Sequence, residues 1–128
     1  MIDHVSIGVS DLDRSARFYE LALAPLALSR LVARPATGGF GKSYPVFWIN
    51  LRTGMSAVAP ESGCHICLRA KSNGEVDAFH AAALKAGASS DGAPGLRPHD
   101  RVRYYAAFIR DFDGNRIEAV TFLGDEAP

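Results

Sequence analysis

The sequence predicts an α+β protein made of two β-α-β-β-β halves, and three features of the chain carry that prediction. First, the chain repeats itself. Moving the first half onto the second sets His4 on His65, Val5 on Ile66, Phe18 on Phe79, Ala22 on Ala83 and Leu23 on Leu84, while Ile49 falls on Ile117 and Asn50 on Glu118. Order shared across a whole half-chain marks an internal duplication. Second, Asp113-Gly114-Asn115 is a hairpin turn signal between two strand-like runs, Tyr104 to Ile109 and Arg116 to Phe122. Third, each half opens with a strand and passes through a capping residue into an amphipathic helix. At 128 residues the chain fits one domain, 1–128, whose halves share a core that neither could bury alone.

The elements follow in order. Ile2 to Val9 alternates: Asp3, Val5, Ile7 and Val9 form the more apolar face, which leaves His4 on the polar one with Ser6 and Gly8. Ser10 is the expected N-cap of a helix, with Asp13 completing the capping box. Leu12, Ala16, Tyr19 and Leu23 then recur at helical spacing until Pro25. Leu28 to Ala33 reads as a strand, Thr37 to Gly41 as a glycine-rich turn, and Val46 to Leu51 as a strand centred on Phe47-Trp48-Ile49. The first module thus covers about 1–54, and Met55 to Gly63, punctuated by Pro60 and Gly63, is a linker. The second module covers about 64–124. It holds a strand at Cys64 to Ala70, a cap at Ser72, and a helix through Val76, Phe79, Ala83 and Leu84 that ends at Gly87. Gly92 to Arg103 reads as a weak strand and a mobile loop ahead of the closing hairpin. His80, on the second helix, is expected to be solvated.

Composition narrows the function. Hydrophobic residues make up 48% and charged residues 22%, and 14 basic residues balance 14 acidic ones. Nothing in that balance recruits nucleic acid or an anionic membrane, so the expected partner is a small molecule. Without an apolar run long enough to span a bilayer or a signal peptide, the chain is expected in the cytoplasm. Cys64 and Cys67 form a C-x-x-C on a strand, where residues three apart point to opposite faces, so a redox pair is not expected. Glu118 is the unusual residue. It is a carboxylate among Ile117, Ala119 and Val120, and must either point outward from the strand or be buried with a partner, a proton or a metal.

Four motifs taken together resemble the vicinal oxygen chelate superfamily, the group of glyoxalase I, bleomycin resistance proteins, fosfomycin resistance enzymes and extradiol dioxygenases. They are Ile2-Asp3-His4-Val5, Ser10-Asp11-Leu12-Asp13-Arg14-Ser15 with Phe18-Tyr19, Gly63-Cys64-His65-Ile66, and Arg110-Asp111-Phe112-Asp113-Gly114-Asn115-Arg116-Ile117-Glu118. The resemblance runs from Ile2 to about Leu123. It implies a curved, eight-stranded mixed sheet forming an open cup, with metal ligands entering from the first and last strands of each module.

Carried over by position, His4, His65 and Glu118 match the family's metal ligands, and Glu118 also its catalytic carboxylate. The fourth position falls on Asn50, where glyoxalase I carries glutamate. An amide is a poor ligand and no general base near neutral pH, so glyoxalase I activity is not expected. The remaining two histidines and one carboxylate suit a divalent metal, Fe, Mn, Zn, Ni or Co, with open positions for substrate. Asn50, Trp48, His99 and Tyr104 are candidate substrate-pocket residues, and Arg52, Arg69 and Arg116 are further groups that could orient an anionic or hydroxylated substrate. The resemblance implies a metal-dependent lyase, dioxygenase or transferase. The alternative is a metal-free cup that sequesters a drug or metabolite, as in bleomycin resistance proteins. Small members of the superfamily are often two-fold dimers, and exposed strand edges invite association, so a homodimer is expected, with the linker deciding whether modules pair within or between chains.

Overall fold

The structure is a computed structural model that describes residues 1–98 and 103–122. The first module contains β1 (Val5–Val9), α1 (Leu12–Leu23), a 3₁₀ turn (Ala24–Leu26), β2 (Ser29–Ala33), β3 (Thr37–Gly41) and β4 (Pro45–Leu51). The second contains β5 (Ile66–Arg69), α2 (Asn73–Lys85), β6 (Ser89–Arg97), β7 (Tyr104–Arg110) and β8 (Arg116–Phe122). Each module forms its own four-stranded sheet, ordered β1-β4-β3-β2 and β5-β8-β7-β6. In both, the first strand runs parallel to the last and the other pairings are antiparallel. The two modules therefore share one topology, and the α+β fold of two βαβββ units stands.

Alternation sorts the side chains. Ile66 and Leu68 of β5, Ile117 and Ala119 of β8, and Ala107 and Ile109 of β7 face α2. In the first module, Val9, Phe47 and Ile49 meet Phe18, Tyr19 and Leu23 from α1. Tyr19, Phe40 and Phe47 are wholly buried, with the Tyr19 ring centroid 5.0 Å from that of Phe47. The helices pack on each other, which joins the two faces into one core.

Several local expectations change. Thr37 to Gly41 is strand β3, not a turn, because the glycines make room for the sheet's large residues. A Cβ on Gly39 would sit 2.9 Å from the Trp48 ring. Ser89–Arg97 is a nine-residue strand rather than a weak one, its glycines absorbed by register shifts. The cap of α1 is Asp11, which accepts from the Arg14 amide at 3.0 Å. Ser10 is released for another role. His80 is buried, with Nε2 2.9 Å from the Ser90 hydroxyl, and burial holds its pKa below the usual value.

Ser10 joins a polar hub that binds the modules together. Its amide and hydroxyl donate to the Asp113 carboxylate, at 3.1 and 2.6 Å, while Asn115 Nδ2 donates to the Gly8 carbonyl at 2.9 Å. Asp111 lies at the centre, 6% exposed. It accepts from the Tyr19 hydroxyl at 2.6 Å, the amides of Asp113 and Asn115 at 2.9 and 2.8 Å, and Asn115 Nδ2 at 2.9 Å. Burial, followed by the Asp111 charge, pushes the Tyr19 pKa well above 10. A folded-state pKa raised this way confers stability that is intact below the unfolded value near 10 and is lost as pH rises toward the folded value. Stability should fall by about 1.4 kcal/mol per pH unit above pH 10 for this one proton. Urea melts of the wild type and Tyr19→Phe between pH 9 and 11 check this, since the variant should lose that slope.

Candidate functional site

The site is built on the face of the second sheet turned away from α2. Alternation puts Cys67 and Arg69 of β5, Glu118 and Phe122 of β8, and Tyr104 and Phe108 of β7 on that face. Glu118 has Cys67 on one side and Phe108 on the other, and is 6% exposed. It points away from α2, opposite Ile117, and is nonetheless a buried carboxylate. His65 stands one residue before β5, its Nε2 3.0 Å from Glu118 Oε1 and its ring centroid 6.1 Å from that of Phe108. The Cys67 thiol also bonds to Glu118. Burial of the sulfur, then the Glu118 charge and that hydrogen bond, push the thiol up to about 12. Cys67 is thus a neutral donor rather than a nucleophile. Both cysteines are free thiols.

His4 is placed elsewhere, one residue before β1. Its Nδ1 lies 2.6 Å from Asp3 Oδ1, and the Tyr44 hydroxyl donates to the same oxygen at 3.1 Å. The hydrogen bond from His4, and then the one from Tyr44, hold the Asp3 carboxyl below its usual pKa. Nδ1 is thereby taken up by Asp3, the kind of contact by which a carboxylate orients an imidazole. The structure thus joins His65 and Glu118 and leaves His4 apart. Among the described residues, no group of three His, Cys, Asp or Glu comes together to hold a metal.

The other candidates divide by strand parity. Trp48 and Asn50 lie on the sheet face opposite the core, across from Ser6 and Gly8 of β1 and from Gly39 and Thr37 of β3. The Arg34 guanidinium stands 5.8 Å over the Trp48 ring. Tyr104 is on the Glu118 face, 6.2 Å from the Phe122 ring. His99 lies outside the described residues. Arg52 donates to the Leu51 carbonyl at 2.9 Å, and Arg116 to the carbonyls of Ser62 and Pro60. Sequence reasoning missed Cys67, set aside as half of a redox motif, although its i+2 spacing from His65 put both on one face. Phe108, and the pairing of Asp3 with Tyr44, carried no local signal.

A model of the Glyoxalase/Bleomycin resistance protein/Dioxygenase superfamily matches residues 1–119. The chain belongs to this superfamily. A solved glyoxalase/bleomycin resistance protein from Albidiferax ferrireducens is 31% identical to this superfamily member, with a TM-score of 0.81 over 92% of this chain and 96% of that one. The fosfomycin resistance protein FosX from Listeria monocytogenes is 16% identical, with a TM-score of 0.70 over 98% and 96%. A mutant of that protein, similar at 16% identity and TM-score 0.69 over 98% and 93%, was solved with Mn(II) and dihydroxypropylphosphonic acid. At 16% the likeness to FosX is one of fold. No curated protein sequence matches the chain. No helix among the described residues is long and apolar enough to cross a membrane.

Proposed function

We propose that this superfamily member is a metal-dependent enzyme acting on a small molecule, with His65 and Glu118 as two ligands of a divalent ion and His4 of a second copy as the third. The observation that carries the reading is the buried Glu118 carboxylate directed at His65 Nε2. A carboxylate kept out of water needs compensation, and a carboxylate beside an imidazole is a donor set that Fe, Mn, Zn, Ni or Co can use. The ion, when bound, supplies Lewis acidity toward two adjacent substrate oxygens. The protein groups do the rest: Asp3 orients His4 through Nδ1, the Cys67 thiol donates to Glu118, and the Phe108 ring stands beside His65. With no carboxylate at Asn50, Glu118 is the carboxylate left to move a proton.

The second copy enters because His4 does not come together with His65 and Glu118 among the described residues of its own chain. Among the described residues, edge strands β1 and β5 each lack a partner on one side, which favours association. A metal-free binding protein of the bleomycin resistance type is the second reading, favoured by the same 3.0 Å contact, since His65 and Glu118 satisfy each other without an ion.

Titrating metal-stripped protein with Mn(II), Fe(II), Co(II), Ni(II) and Zn(II), followed by sedimentation, separates the readings. Stoichiometric uptake by a species of twice the 13.7 kDa chain mass is the expected result. Failure to take up any of the five would leave the metal-free reading.

A further inference from the structure

A second cluster of chemically able side chains lies on the other face of the second sheet. Ser90 of β6 pairs in register with Ile109 of β7, whose side chain faces α2, so Ser90 stands on the α2 side while Glu118 stands on the opposite one. There it meets His80 of α2, whose Nε2 is 2.9 Å from the hydroxyl oxygen. The two partners differ in access. His80 is 8% exposed, whereas Ser90 is exposed on a strand that, among the described residues, forms the edge of the sheet. A histidine held inside the fold thus touches a hydroxyl that solutes can reach.

The surroundings favour proton transfer between them. Burial, opposed by the nearby Asp77 carboxylate, holds His80 below its usual pKa, so the imidazole is neutral near pH 7 and able to take a proton. Asp77 lies one turn before His80 on α2 and is fixed by the Tyr105 hydroxyl, which donates to it at 2.6 Å. Its negative charge favours the imidazolium once formed. The strand adds a donor. The register of β6 on β7 shifts between Ser90 and Gly92, and the Gly92 amide donates to the Ser90 oxygen at 3.4 Å. That bond is long, and an irregularity at a sheet edge is where a strand re-aims its groups. An oxyanion forming on an atom bonded to the Ser90 oxygen would be a stronger acceptor for the same N–H.

We propose that Ser90 is a nucleophile with His80 as its base, and that it accepts the acyl group of a small activated ester, an aryl ester or a thioester. The Ser90 oxygen bonds to the acyl carbon while its proton passes to His80 Nε2. The C–O or C–S bond to the leaving group then breaks, and His80 returns the proton to the alcohol or thiol released. The product is an ester on Ser90, and no oxidant or reductant enters the balance. This reaction lies on a different face from His65 and Glu118 and does not depend on their holding an ion.

The test uses the full chain stripped of metal, so that an ion on the Glu118 face does not act on the probe. p-Nitrophenyl acetate should release about one equivalent of p-nitrophenolate per chain in an initial burst, with the acetyl group located on Ser90 by peptide mass spectrometry. Ser90→Ala should remove the burst, and His80→Gln should slow it by about 100-fold or more, the lower end of what a positioned base contributes. Ser89→Ala, at the neighbouring exposed hydroxyl, should leave it as it was. Because Ser89 and Ser90 are both exposed, their comparison decides the matter even where His80→Gln, made at a buried position, fails to fold. No burst, a burst that survives Ser90→Ala, or acetyl groups spread over lysines and both serines would each overturn the proposal. So would a folded His80→Gln variant that reacts at the wild-type rate.

Discussion

Replacing Asp111 by Ala is expected to destabilise the chain by about 3–5 kcal/mol, the range for removing one partner of a buried charged network. The loss is large because the carboxylate serves several donors at once. The Tyr19 hydroxyl, two turn amides and the Asn115 side chain would all be left short of an acceptor in a region closed to water. Burial raises the Asp111 pKa while the four bonds oppose that shift, so part of the ordinary cost of burying a carboxylate is already offset. Asp111→Asn keeps the shape and one acceptor and should cost less. Denaturant melts of both variants at pH 7 check this. A loss below about 1 kcal/mol for the alanine variant would show that water reaches the hub.

The second large effect is expected in metal affinity. Glu118→Ala and His65→Ala should each weaken Mn(II) binding by roughly 3 kcal/mol or more, beyond the 10–100-fold typical of losing a supporting group. His4→Ala should do the same if the second copy supplies it. Asp3→Ala should fall in the supporting range, because it removes only the group that orients His4. Asn50→Ala should change little. Competition titration against a metal-sensing dye ranks the five variants, and a loss for Asn50→Ala equal to that for Glu118→Ala would place the amide in the ligand set.

The duplication, both helices and the closing hairpin were legible because apolar spacing and turn chemistry are local signals. His4 and His65 could be paired in the sequence because the repeat relates them, and Glu118 stood out as a carboxylate in an apolar run. What escaped depended on distant neighbours. Gly38 and Gly39 read as turn residues until Trp48 and Ile49 are known to lie against them. Ser10 looked like a cap because its true partner, Asp113, is more than a hundred residues away. Asp111 drew no notice in a hairpin of charged residues, since nothing local reveals that Tyr19 points at it. Two of the three proposed ligands, His65 and Glu118, meet within the chain, and His4 lies apart from them.

The linker has a consequence for how two copies could come together. Its Val58 amide donates to the Asp113 carbonyl at 2.8 Å, Arg116 grips the carbonyls of Pro60 and Ser62, and a Cβ on Gly114 would come within 3.0 Å of the Val58 carbonyl. Together with the Ser10–Asp113 and Asn115–Gly8 bonds, this ties the linker and the first module onto the last hairpin of the same chain. Exchange of modules between chains would have to undo all of these contacts before forming new ones, a step as slow as partial unfolding. Finished chains meeting by diffusion need no such opening, so their encounter would be quick, reversible and governed by concentration alone.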